Sequence, residues 1–148
     1  MTRNVSITSI NPRYHKQLAE QFSRKIVAPP HRTETELQIA VAHFLELALA
    51  PHVYYTAIGH GGGGRVRGAI LKAMGLKPGA PDLLFVRPSD GRACFIELKA
   101  KRGTTSDAQD KTHDDINLCG GLVSVCRSVE AVEICLRAWD FPMRATIK

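Results

Sequence analysis

The chain has 148 residues, of which 44% are hydrophobic, 23% charged and 6% aromatic; this is the composition of one soluble globular domain and excludes a multidomain machine, a disordered chain or a collagen-like fibre. A net charge of +6 and a pI near 9.4 favour a polyanionic partner such as nucleic acid. No apolar run approaches the roughly 18 residues of a membrane span and no signal-like stretch opens the chain, so a soluble cytoplasmic protein with no membrane partner is expected.

Residues 1–32 carry six basic residues and one acid, with a weak helical spacing at Leu18, Phe22 and Ile26 that ends at Pro29-Pro30. They read as a basic arm and linker, and residues 33–148 as the domain itself. From Thr33, the apolar positions Leu37, Val41, Phe44, Leu45 and Ala48 predict a helix closed by Pro51. His52 to Ile58 reads as a short strand, Gly59 to Gly64 as a loop, and Arg65 to Met74 as a helix with Gly75 as its C-cap. Leu83 to Val86 and Ala93 to Lys99 read as strands joined through Pro88-Ser89-Asp90-Gly91. Ser106 to Cys119 is a polar helix with a narrow stripe at Ala108, Thr112, Ile116 and Cys119, stopped by Gly120-Gly121. Leu122 to Cys126 is a further strand, and Ser128 caps a last helix carrying Val129, Val132, Leu136 and Trp139. This order predicts an α/β fold, one mixed sheet flanked by helices.

Charge is unevenly placed. The segments 1–32 and 65–102 carry +5 and +6, whereas 33–64 and 103–148 carry −3 and −2. The basic stretches are a candidate footprint for phosphates. Cys94, Cys119, Cys126 and Cys135 form no Cys-x-x-Cys pair, and the histidines are scattered; reduced thiols, three of them among apolar neighbours, are expected rather than a zinc site.

The loop between the two central strands yields the most informative inference. If Arg87 pairs with Arg92 across Pro88 to Gly91, Asp82 lies directly opposite Glu97, with Cβ atoms about 4.5–5.5 Å apart. Lys99 projects from the same face as Glu97, and Cys94, Ile96 and Leu98 from the other. Facing carboxylates repel unless a cation lies between them. Magnesium commonly uses one or two carboxylates together with water and phosphate oxygens.

Gly79-Ala80-Pro81-Asp82, followed by Phe95-Ile96-Glu97-Leu98-Lys99, resembles the Asp and Glu-x-Lys elements of the PD-(D/E)xK nucleases. More specifically, Arg67 through Trp139, including Leu71 to Gly79, Gln109 and Gly120-Gly121, is similar to the VRR-NUC (virus-type replication-repair nuclease) branch. The likeness spans roughly residues 33–139. It implies a restriction-endonuclease-like core in which Asp82, Glu97 and the Ile96 carbonyl bind Mg²⁺ or Mn²⁺ and Lys99 is the catalytic lysine. The family also places a glutamate on the first helix and a glutamine on the helix after the Glu-x-Lys strand. Glu36 has a sufficient local role in a Thr33-x-x-Glu36 capping box, which leaves Glu34 as the choice. Gln109 fits the second position, although Ser106-x-x-Gln109 is itself a capping-box pattern.

The implied activity is metal-dependent hydrolysis of DNA phosphodiesters by in-line attack of an activated water, on branched or junction DNA in replication, repair or recombination. The implied assembly is a homodimer and the implied source a phage or bacterium. Arg65, Arg67, Lys72, Lys77, Lys101 and Arg102 are the expected DNA contacts. The alternative is a catalytically silent DNA-binding module of the same fold, acting as a subunit of a larger complex. Gly59 to Gly64 also satisfies G-x-G-x-x-G, but Asp82 precedes its strand instead of following it, and Arg65-Val66 stands where a Walker motif needs Lys-Ser/Thr. That loop reads instead as a DNA-contacting segment beside the site.

Overall fold

The computed structural model describes residues 24–28, 33–59 and 64–147. Thr33 starts helix α1 (Glu34–Ala48): its hydroxyl accepts from the Glu36 N–H while the Glu36 carboxylate accepts from the Thr33 N–H, the reciprocal capping box that the spacing predicts. The buried stripe of α1 is Leu37, Ala40, Val41, Phe44, Leu45 and Ala48. Strand β2 (Tyr54–Ala57) follows, then α2 (Gly64–Ala73), β3 (Leu83–Val86), β4 (Ala93–Leu98), α3 (Asp107–Leu118), β5 (Leu122–Cys126) and α4 (Val129–Ala138). The strands lie in the order β2-β3-β4-β5. The first two pairings are antiparallel; β5 joins β4 in parallel, and α3 makes the crossover that a parallel pair requires.

The two faces of this mixed sheet differ. Leu83, Phe85, Cys94, Ile96, Leu98 and Cys126 point into a dry core beneath α1 and α4, where Phe85 stacks on Tyr55 and meets the edge of Phe141. The opposite face carries Leu84, Val86, Ala93 and Phe95, all half-buried. There α3 lies with none of its residues buried. Its predicted stripe of Ala108, Thr112, Ile116 and Cys119 lines, with Phe95 and Pro78, an open groove of about 720 Å³ instead of filling a core. Among the cysteines, Cys94 and Cys126 are buried thiols, Cys135 is half-buried and Cys119 is exposed; all four are free.

One expectation fails. Ile26, read as part of a helical pattern with Leu18 and Phe22, lies in a strand, β1 (Arg24–Ile26), while Leu18 and Phe22 fall outside the described residues. β1 pairs in parallel with β6 (Ala145–Ile147) near the chain end, opposing Ile26 to Ile147. Strands of three residues are too short to carry a period, so neither leaves a signal to read.

The buried carboxylate of Glu133 anchors β6. It accepts from Thr146 Oγ1 at 2.6 Å, from the Ile147 N–H at 2.8 Å and from Arg137 at 2.8 Å. Burial raises its pKa, but the bonds from Thr146, Ile147 and Arg137 outweigh burial and hold it below its ordinary value. A depressed carboxylate stabilises the fold above its unfolded pKa and ceases to do so as pH falls through the folded one. Glu133→Gln should therefore lower stability by about 2 kcal/mol at neutral pH. The gap from the parent chain should narrow as pH falls through and below the ordinary glutamate range, read as thermal midpoints across a pH series.

No helix among the described residues is long and apolar enough to cross a membrane.

Candidate active site

The β3–β4 hairpin has the predicted register. Leu83 faces Ile96 and Val86 faces Ala93, and the Arg87 N–H donates to the Arg92 carbonyl at 2.9 Å. The turn is locked by the Arg87 guanidinium, which forks onto Asp90 at 2.9 and 2.6 Å, and that ion-paired hydrogen bond holds the Asp90 carboxyl below the usual carboxylate range. Gly91, at φ +73°, supplies the left-handed step. Continuing the ladder one step sets Asp82 across from Glu97. Asp82 is fixed at both ends: its carbonyl accepts from the Ile58 N–H at 2.8 Å and its Oδ2 from the Leu98 N–H at 2.7 Å.

Glu97 is 1% exposed and Lys99 8%, yet both belong to residue types that are almost never buried unless paired. Here they are paired with each other, Lys99 Nζ to Glu97 Oε1 at 2.9 Å. Burial pushes the Lys99 ammonium toward neutrality, but the hydrogen bond to Glu97 and the charges of Glu97, Glu34 and Asp82 more than reverse this and hold its pKa above the ordinary value. Lys99 is thus a fixed cation in this arrangement, a donor and a positive charge rather than a base.

Gln109 uses both ends of its amide at once. Its carbonyl oxygen accepts from the Ser106 N–H at 3.0 Å and completes the capping box that opens α3, while its amide nitrogen donates to Glu97 Oε1. The two first-helix glutamates separate as the capping argument requires. Glu36 bonds back to Thr33, whereas half-exposed Glu34 reaches across the fold, accepting from the Ala100 N–H at 3.4 Å and standing 3.9 Å from Lys99 Nζ. A hollow of about 350 Å³, lined by Glu34, Gln38, Ile58, Gly59, Asp82 and Leu98, opens beside this cluster. The larger groove along α3 lacks this carboxylate–lysine cluster. Ile96 precedes Glu97 with its side chain in the core.

Glu34, Asp82, Glu97, Lys99 and Gln109, spread over residues 34 to 109, therefore converge at one end of the sheet. The expected DNA contacts form a looser set. Arg65, Arg67 and Lys72 lie on exposed α2, Lys77 follows it, and Lys101 and Arg102 form the exposed turn two residues past Lys99. His60 and Gly61 to Gly63 lie outside the described residues. His113, one of the scattered histidines, sits one turn past Gln109 on α3. Its Nε2 is buried without a hydrogen-bond partner, and burial lowers its pKa against the opposing charges of Asp110 and Asp114, with Lys99 adding to the lowering. The four-residue spacing from Gln109 was the available signal.

Among the described residues no group of three or more His, Cys, Asp or Glu side chains is gathered as a metal cage. The donor set is instead two carboxylates, Asp82 and Glu97, with Glu34 at the rim. Such a set suits Mg²⁺, which keeps several waters and binds through one or two carboxylates plus substrate oxygens. It does not suit zinc, which takes closed nitrogen and sulfur cages in structural sites.

The model of the VRR-NUC domain matches residues 17–130. A solved structure described as a VRR_NUC domain protein superposes with a TM-score of 0.58 at 20% identity, covering 76% of this chain and 91% of the other. A second, described as a VRR_NUC domain, gives a TM-score of 0.49 at 21% identity, covering 72% and 96%. No curated protein matches the chain. With the matched model spanning well over half its length, the chain belongs to the VRR-NUC domain family, a nuclease-type family.

Proposed function

We propose that this protein is a divalent-metal-dependent DNA endonuclease that hydrolyses phosphodiester bonds in branched or junction DNA. The observation that supports this reading is the buried Glu97–Lys99 pair at the sheet end, with Gln109 on the same carboxylate oxygen and Asp82 and Glu34 beside it. Asp82 and Glu97, with the Ile96 carbonyl, are the residues that would hold Mg²⁺ or Mn²⁺. When bound, such an ion supplies Lewis-acid polarisation of a phosphate oxygen and acidifies a water.

The remaining work falls to side chains. Lys99, kept cationic by its carboxylate neighbours, orients the attacking water and offsets charge developing on the phosphoryl oxygens. Gln109, its carbonyl fixed by the start of α3, presents its amide toward the same point. Glu34 accepts hydrogen bonds from water at the rim of the hollow. Arg65, Arg67, Lys72, Lys77, Lys101 and Arg102 draw in the phosphate backbone. Two copies of the chain, one for each strand of a branch, are the proposed assembly, for which sedimentation gives the solution mass.

Cleavage of plasmid, single-stranded and branched DNA in Mg²⁺, Mn²⁺ or EDTA tests the reading. Cutting in either metal and none in EDTA is expected. Cutting that survives chelation would overturn the metal role, and DNA binding without cutting in either metal would leave a silent binding module.

A further inference from the structure

None of the ten residues of α2 is buried. Val66 and Ile70, with Met74 just past the helix end, are 76%, 53% and 78% exposed. Spaced by four, these three share one outer face, while half-buried Leu71 turns toward the fold. The helix ends on Gly75 at φ +98°, with the Leu76 N–H on the Leu71 carbonyl and the Gly75 N–H on the Lys72 carbonyl. A helix this short is marginal in water on its own, and its outer stripe presents apolar surface to whatever approaches.

Charge and position say what that is. From Leu47 to Pro81 the chain has no carboxylate; on α2, Arg67 borders the stripe, and Arg65 and Lys72 stand further round the same helix. An apolar strip bordered by a cation, on a helix with two more and no carboxylate, is complementary to base planes carried on a phosphate backbone. The Ile58 N–H donates to the Asp82 carbonyl at 2.8 Å, so the chain before α2 and the chain after it meet at Asp82. The returning limb is pinned to α3, where Thr112 Oγ1 donates to the Pro78 carbonyl at 2.8 Å. The stripe therefore belongs to an excursion rooted at the candidate catalytic carboxylate.

We infer that Val66, Ile70 and Met74 form a wedge that seats against unstacked bases, while Arg67 at its border holds the adjacent phosphate and Arg65 and Lys72, further round the helix, add attraction for the backbone. The inference rests on the nuclease reading and adds the residues through which DNA shape is sensed. Isoleucine and methionine are among the side chains that proteins insert at base steps. Parting an intact stack is costly, whereas at a branch, gap or flap the stack is already interrupted, so the same surface discriminates in favour of such DNA.

The test uses a three-way branched DNA with 2-aminopurine at the junction and a linear duplex of the same sequence, both bound in EDTA. The parent chain should bind the branched form about tenfold more tightly and raise its fluorescence. Val66→Gln/Ile70→Gln, both on an exposed face, should lose the fluorescence rise and most of that ratio; Ile70→Phe should keep both. An unchanged ratio in the double variant, or a parent chain with no branch preference, overturns the inference. So does dissociation of a dimer by the double variant, which would make the stripe a self-association face. Parallel cleavage in Mg²⁺ separates the two readings: a parent chain that prefers branches but cuts nothing refutes the nuclease and spares the wedge.

Discussion

Lys99→Met is expected to reduce cleavage by about 10³-fold and, in EDTA, to lower stability by about 3 kcal/mol. The second effect follows from the burial of the pair. Its side chains are 11% and 2% exposed for Lys99 and Glu97, and removing one member leaves the other's charge buried without that counter-charge. Glu97→Gln should cost a similar amount, since the ammonium then loses its 2.9 Å carboxylate contact and keeps Glu34 only at 3.9 Å. The double variant should cost clearly less than the two singles together, the signature of a direct pair in a double-mutant cycle. Activity should be lost in all three.

Divalent cation separates structural from catalytic roles. In the parent chain Lys99 competes for Glu97, so a cation that binds the folded state should stabilise Lys99→Met more than the parent. Urea denaturation with and without Mg²⁺ measures this. Equal stabilisation of the two would sink the idea that lysine and cation share the carboxylate.

Gly79→Ala is expected to be the most destabilising Gly→Ala change among the described residues, at about 3–5 kcal/mol. Two costs coincide there. Gly79 has φ +75°, a conformation unfavourable for residues with a Cβ. An added Cβ would also overlap the Ala108 carbonyl and sit 2.6 Å from the Gln109 backbone nitrogen. Both obstacles are helix backbone, so no side chain can swing aside; the loop must lift off α3. That displacement separates Asp82, three residues on, from Gln109, so activity should fall even where the variant remains folded. Gly91→Ala provides the control: φ is +73° but no atom lies within 4 Å. It should cost about 1 kcal/mol, the backbone penalty alone, by chemical denaturation.

What was legible in the sequence was whatever rests on local chemistry. Thr33 with Glu36, Ser106 with Gln109, and Ser128 are caps whose partners lie within three residues, so spacing alone locates the helix starts. The hairpin register followed from a four-residue turn, and the Arg87–Asp90 fork that secures it is equally local. The facing of Asp82 and Glu97 was readable for that reason. The choice of Glu34 over Glu36 came by elimination, because a cap consumes one of them. Long-range arrangements were not legible. The β1–β6 pairing joins residues more than a hundred positions apart, and nothing at Ile26 announces Ile147. The stripe on α3 has the spacing of a core face yet borders an open groove, because periodicity reports which residues share a side and not whether anything covers it. The exposure of α2 was hidden in the same way.

The unequal faces of the central sheet divide tolerance to change. Phe85, Ile96 and Leu98 are locked between α1 and α4 at native packing density, where losing even one methylene is felt. On the other side of the same strands, Ala93 and Phe95 line a groove with room to spare, and Leu84 and Val86 are only half-buried. Adjacent residues in β3 and β4 thus live under opposite constraints. Variation can accumulate on the α3 side, reshaping the groove and the surface next to the carboxylates, while the α1 side keeps the strand ends in register. A lineage built this way can alter what it grips without renegotiating how it folds.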